Sequence, residues 1–438
     1  MGLIHVWEDE RDKPNIQITH QDRRSPHVLH GYRNDDPKIK IVKVDVSIPR
    51  PQNYLQIRQG NKAYEQEAHS PTRNFYSRCL LQVAGVAANI SSALELRKQD
   101  NTLYTGNYIP QMGIACAADY ETVTDYGYVA LVDDDTAGIV LGTGNTAWTL
   151  DDYMPETLIQ QGVTAGKLVY GATPTPKWSY AGGVWTVIGR RIFDNFNADA
   201  NTITVKEVCQ LAPEWTSSLQ FHYVDERTVL VTPRDIPYKS GAVFTYTRSL
   251  TIPAVDVLLP NGVSILLHQA FGVNQYNPVS AYGSGVKTLC TTNGTKYYDT
   301  NTTGRYNQVG NYYVSSSGAN SGCVAGYGTT AVADTDYALD DEFAHGSLEN
   351  QLGYSTQNTP SAVYDSPSKT FTVTQSRTLT NNYAGNQSVA EIGFKHVRYI
   401  SNVSVYYFLL SRTVLGSAVV LAQNESISII YDFTMTHP

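Results

Sequence analysis

Gly142, Gly144 and Ala147 match the G-x-G-x-x-A spacing with which backbone N–H groups cradle a dinucleotide pyrophosphate. That chemistry needs the glycines to open a helix behind a parallel strand. Here Trp148 and Thr149 follow at once, and a second pair, Gly326 and Gly328, recurs with no βαβ context. Turn glycines at a strand end are expected, and no cofactor. Three acidic groups stand out: Asp133, Asp134 and Asp135; Asp151 and Asp152; Asp340, Asp341 and Glu342. Glycoside hydrolysis needs two carboxylates across a cleft, whereas neighbours on a loop point apart. Asp152 and Asp336 are expected to cap a helix or tighten a turn.

Asn197, Asp199 and Asn201 alternate as in a calcium loop, but Thr202 stands where Gly is needed and Val208 where Glu is needed, so the motif fails. His27 and His30 are the closest histidine pair and lack a third ligand on a defined element; His268 and His345 stand alone. The remaining chemistry-bearing pattern is a charge pair kept twice, Arg191 with Glu207 and Arg377 with Glu391. On adjacent strand-like runs, such charges read as cross-strand ion pairs or buried struts. No catalytic, cofactor-binding or metal-binding residue is nominated, and the expectation is a protein that is not an enzyme.

The duplicated charges belong to a longer repeat. Residues 138–170 and 322–354 align without a gap at a constant spacing of 184 (322 − 138), sharing Gly138/Gly322, Val140/Val324, Thr146/Thr330, Asp152/Asp336, Tyr153/Tyr337, Leu168/Leu352 and Tyr170/Tyr354 among others. Downstream, Arg191/Arg377, Asn195/Asn381, Val205/Val389 and Glu207/Glu391 continue the match across one gap in a turn. A looser match pairs Arg234 with Arg412, followed by Tyr246 and Tyr431.

Elements that would position these residues are mostly strands. Residues 203–208 alternate strictly, and Ile427, Ile429, Tyr431 and Phe433 share one face. Short strands between Gly/Asn/Asp/Ser-rich turns suit an antiparallel sandwich or barrel. A helix is expected around residues 75–98, carrying Leu80, Leu81 and Ala84 on one face, and another short one in each copy after Thr149 or Asp151, ended by Gly162 or Gly346. Before Ser70 charges and prolines interleave. Ile39 and Ile41 alternate, the phase slips at Val42, and Val44, Val46 and Ile48 resume, which reads as a bulged strand. The first thirty or so residues have too few apolar side chains to pack alone and are expected to be ordered by a neighbouring subunit. The fold class is therefore mainly β: two tandem antiparallel β-sandwich-like modules, 71–253 and 254–438, with one or two short helices each, behind an extended N-terminal arm, 1–70.

Composition narrows the function classes. With 42% hydrophobic and 16% charged residues, the 438-residue chain has material for cores and too little charge for disorder. A net charge of -8 supplies no basic face for nucleic acid. The most apolar run, 255–267, is broken by Pro260, Asn261 and Gly262, too short to span a bilayer. A charged start without an apolar core leads to the expectation of folding in a cytoplasm. Five scattered cysteines give neither a disulfide framework nor a zinc site. The 31 Tyr against 11 Phe suit half-wet contact surfaces as well as strand positions.

The G-[IC]-V-x-G-x-G-x-T-A-x(4)-D-Y segments at 138–153 and 322–337, the R-x-F-x-N turn and T-V-x-E-V run at 191–208, and the closing L-x-x-R-x-V and Y-x-F runs at 409–433 resemble tailed-bacteriophage virion proteins. The resemblance covers about residues 72–438. It implies a virion component assembled in the host cytoplasm as a symmetric homo-oligomer of the tail, neck or adsorption apparatus, touching other virion proteins. Alternatives are a capsid decoration protein or a host receptor- or glycan-binding tail protein, whose contacts would centre on Trp178, Trp185 and residues 297–313.

Overall fold

The computed structural model describes residues 28–33, 36–68, 71–85, 91–104, 135, 138–171, 177–181, 184–215, 220–251, 258–259, 262, 289–290, 292–293, 296–297, 320–333, 336–400 and 404–437. The chain is mainly β. Its N-terminal part carries β1 (Val28–Arg33), β2 (Asp36–Ser47), β3 (Gln52–Gln59) and β4 (Lys62–Glu67), then helix α1 (Arg73–Ala84). There follow β5 (Gly138–Gly142), β6 (Val169–Tyr170), β7 (Lys177–Ala181), β8 (Val184–Asp194), β9 (Ile203–Trp215), β10 (Gln220–Ile236) and β11 (Gly241–Thr251). The short pair β12 (Leu289–Cys290) and β13 (Lys296–Tyr297) precedes β14 (Gly322–Gly326), β15 (Ala344–His345), β16 (Gln351–Tyr354), β17 (Ser361–Asp365), β18 (Thr370–Thr380), β19 (Gln387–Ile400), β20 (Ser404–Leu421) and β21 (Ser426–Thr436).

Two larger sheets and two three-stranded sheets hold almost all of these strands. One large sheet runs β4-β3-β11-β8-β6 with β7 also on β8; the other runs β1-β2-β21-β18-β16-β15 with β17 also on β18. The small sheets run β10-β9-β5 and β20-β19-β14. Strand chemistry explains the burial: on β21, Ile427, Ile429, Tyr431, Phe433 and Met435 are buried while the residues between them are not. One hydrophobic cluster fills the space between β5, β9, β10, β3 and β11. A second joins β2, α1, β14, β18, β19, β20 and β21, and takes in Tyr223 and Leu250 from the first half.

Residues 28–67, expected as part of an extended arm, form two hairpins in which β2 pairs parallel with β21 and β3 antiparallel with β11. Residues 1–27 lie outside the described residues. The bulge expected at Val42 is absent. The β2–β21 register is unbroken from Ile39 to Ser47, Val42, Val44 and Val46 face the core, and Ile39 and Ile41 simply occupy the opposite, half-exposed face.

α1 ends at Ala84, short of the expected 75–98 span. Gly85 takes φ +66, the left-handed C′ conformation that terminates helices, and among the described residues up to Lys98 a single 3-10 turn, Ser92–Leu94, follows. Every described apolar side chain on α1 is buried, so it is a core helix. Its start meets β10, where Thr72 Oγ1 donates to Val224 O at 2.6 Å; its last carbonyls accept from Gln375 Nε2 (2.9 Å) and His396 Nε2 (3.0 Å) in the second half.

The helices expected after Thr149 and its counterpart do not form among the described residues. Thr149 donates from both its backbone N–H (3.1 Å) and its Oγ1 (2.7 Å) to the Asp152 carboxylate, which is half of a capping box; its hydroxyl does not accept from a backbone N–H as an N-cap would. Pro155 follows three residues later and biases Met154 away from helical angles, and the chain instead pairs as an extended segment with β5 through Thr143 N to Thr157 O and Ile159 N to Leu141 O. Among the described residues no helix is long and apolar enough to cross a membrane.

Candidate functional site

Each of the two three-stranded sheets carries a group of ionisable side chains centred on a buried arginine and a buried glutamate. After β5 the chain folds back across β9 and β10. Gly142 and Gly144 make this close pass possible: a Cβ at Gly144 would lie 2.6 Å from Glu207 Oε1. Beneath it, Arg227 donates from Nε to Glu207 Oε2 (2.7 Å), from Nη1 to Asp152 Oδ2 (2.9 Å), and from Nη2 to Glu156 Oε2 and Thr146 O (both 3.3 Å). Glu207 Oε1 accepts from the backbone N–H of Gly144 (3.1 Å) and Thr157 (2.9 Å), and Oε2 accepts from that of Glu156 (3.2 Å).

The second group repeats the first atom for atom in its main features. Arg412 donates to Glu391 Oε2 (2.7 Å), Asp336 Oδ2 (2.6 Å) and Thr330 O (3.0 Å), and pairs with Asp340 at 2.8 Å. Glu391 Oε1 accepts from Asp341 N at 3.0 Å, and a Cβ at Gly326 or Gly328 would come within 2.5–2.6 Å of that oxygen. The Gly-x-Gly pairs are therefore close-approach glycines beside a carboxylate.

Burial pulls the Arg227 guanidinium down, but hydrogen bonds to Glu207 and Asp152 outweigh it and hold its pKa above the ordinary value; Arg412 is shifted the same way for the same reasons. Glu207 and Glu391 each take backbone and guanidinium donors, so the groups can brace a loop against a sheet.

Glu207 and Glu391 do not pair with Arg191 and Arg377, the partners expected from sequence. Arg191 donates to Gly171 O (3.0 Å) and to Ile139 O of β5 (3.1 Å), and lies 4.9 Å over the Tyr170 ring. Arg377 does the same with Ser355 O (2.7 Å), Ser321 O (2.8 Å) and Tyr354 (4.9 Å). Nor does Arg234 correspond to Arg412: it stacks on Tyr64, and the residue in the place of Arg412 is Arg227, 185 positions earlier (412 − 227). The signal lay in the shared run Arg-Thr-Val-Leu at 227–230 and 412–415.

Asp151 pairs with Arg73 at 2.5 Å, Asp135 accepts from Gln161 N, and Lys395 donates to Glu342 at 2.5 Å. Asp133, Asp134, His27 and His268 lie outside the described residues, as do the side chains of His30, Trp178 and Trp185 and residues 298–313. The Asn197 loop closes on itself, Asn195 and Asn197 both donating to Asn201 O, and His345 Nδ1 accepts from Tyr354 N. Among the described residues no group of His, Cys, Asp and Glu is placed to hold a metal.

Sequence reasoning missed a third charged group, buried between α1, β3, β10 and β11. Arg78 pairs with Asp225, both essentially without exposure. Next to it, Arg248 donates to Glu226 Oε2 (2.9 Å) and to Asn53 Oδ1 (3.1 Å), and Asn53 Nδ2 donates to the same Glu226 oxygen (2.6 Å). Burial, opposed by Arg248, pushes the Glu226 carboxyl up to about 7. Asp-Glu-Arg inside a strand run was the available clue. At the seam between β4 and β10 a groove of about 370 Å³ is lined by Leu55, Ile57, Tyr64, Glu65, Val231 and Arg234 among others. Comparison with known proteins finds no matching family model, no similar curated protein and no similar solved structure.

Proposed function

We propose that the chain is a structural component of a tailed-bacteriophage virion, built as two tandem copies of one antiparallel β-sandwich-like module, 71–253 and 254–438, behind an N-terminal segment, 1–70. It assembles as a symmetric homo-oligomer of the tail, neck or adsorption apparatus, contacts other virion proteins, and is not an enzyme. One observation supports this most: strand order and the arginine–carboxylate groups at Arg227 and Arg412 recur together, so what is repeated is a brace between loop and sheet. Two equivalent modules per chain let a ring present a doubled pseudo-symmetry to a partner. The test is antibody labelling of intact particles imaged by electron microscopy. Labelling at a ring of fixed position supports the reading; absence of the chain from purified particles overturns it.

A second reading, a receptor- or glycan-binding tail protein, is favoured by the groove beside Tyr64 and Arg234. Binding on a glycan array that Tyr64→Ala abolishes would place it first.

A further inference from the structure

The edges of β11 and β21 are equivalent places in the two halves, and the N-terminal segment brings two hairpins to fill them. Only residues 48–51 separate β2 from β3, a span of at most about 14 Å, so each hairpin starts beside both edges. Each could in principle take the wrong one.

The faces they turn inward differ. β2 presents Val42, Val44 and Val46, with Val46 directly opposite Phe433 of β21. β3 presents Asn53, Leu55 and Ile57, with Asn53 directly opposite Arg248 of β11. Aligned through Arg227 and Arg412, the places of Glu226 and Arg248 in the first half are held by Ser411 and Phe433 in the second. The buried charges are thus confined to the edge that receives Asn53, whose amide bonds both of them at 2.6 and 3.1 Å.

We infer that Asn53, Arg248 and Glu226 form an address that admits the β3–β4 hairpin to the first module and rejects β1–β2. Docked on β11, β2 would set Val46 against the charged pair and remove the two hydrogen bonds that Asn53 makes to it, leaving Arg248 and Glu226 only their other partners. Docked on β21, β3 would bury the Asn53 amide against Phe433 without these partners. A buried polar group left unpaired costs more than the paired group contributes, which is how polar residues in cores select register and partner. The address operates within one chain and holds whether or not the protein assembles.

The test is hydrogen exchange read by mass spectrometry on the full chain. In Asn53→Val/Arg248→Phe/Glu226→Ser, which gives the first edge the chemistry of the second, the chain stays folded with an unchanged or higher Tm. Peptides covering 39–47 and 52–59 then change from one mass envelope to two, as both hairpins sample both edges. A single protected envelope at both segments overturns the address, and so does loss of folding, which would make the charges a brace only. A transplant gives an independent readout. Phe433→Arg/Ser411→Glu strips protection from 39–47, and adding Val46→Asn restores it; a purely structural role predicts further loss on the third substitution.

Discussion

Arg227 and Arg412 each serve one buried glutamate and the loop that crosses it, so removing either guanidinium leaves Glu207 or Glu391 buried with backbone N–H donors but without the opposite charge of that arginine. Arg412→Met is expected to cost about 3–5 kcal/mol in urea unfolding, and Arg227→Met a similar amount. Glu226 carries a pH dependence whose sign is fixed. Its folded pKa, about 7, lies above the ordinary carboxyl value, so the folded state holds a proton that the unfolded chain has released between those two points. Its contribution is complete below the unfolded value and is lost as pH rises through 7. Relative to Glu226→Gln, whose side chain does not titrate, the native chain should lose stability between pH 5 and pH 8; a gap that stays constant or moves the other way would contradict this. Gln210 is buried at the position that Phe394 takes in the second half, and neither of its amide atoms has a hydrogen-bond partner among the described residues. Gln210→Met should raise stability by about 1–2 kcal/mol in the same assay.

At the scale of elements, α1 is shared property. It packs on β10 at one end and on β18 and β21 at the other, and Leu80 is fully buried in the cluster that joins the two halves. Leu80→Ala is expected to cost about 2–5 kcal/mol and to speed amide exchange in β10 and in β18 and β21 together; a loss confined to one half would contradict a bridging role. Much of this level was legible in the sequence. The alternation of β18 and β21 and the turn glycines mark the strands because each rests on a period-2 pattern or on a φ that only a few residues adopt. β10 was harder to read. Its register shifts at Val224/Glu226 and Val229/Arg234 break the period, which hides the match of Arg227 to Arg412 and makes Arg234 look like the partner. The capping signal at Thr149 misleads: its hydroxyl donates to Asp152 and caps no helix, and Pro155 and the pairing with β5 decide the backbone. The address at Asn53 was illegible, since it depends on residues brought together from positions 53, 226 and 248 by the sheets alone.

The chemistry that recurs within the molecule holds it together: braces at Arg227 and Arg412 and stacked arginines at Arg191 and Arg377, joined by a helix and two hairpins that pack on both halves. As proposed, such bodies repeat in a symmetric ring. Light scattering on the purified full chain, coupled to size exclusion, tests this most directly. The account predicts one species whose mass is a fixed integer multiple of 48.3 kDa across a hundredfold dilution series. A single 48.3 kDa species at every concentration would contradict it.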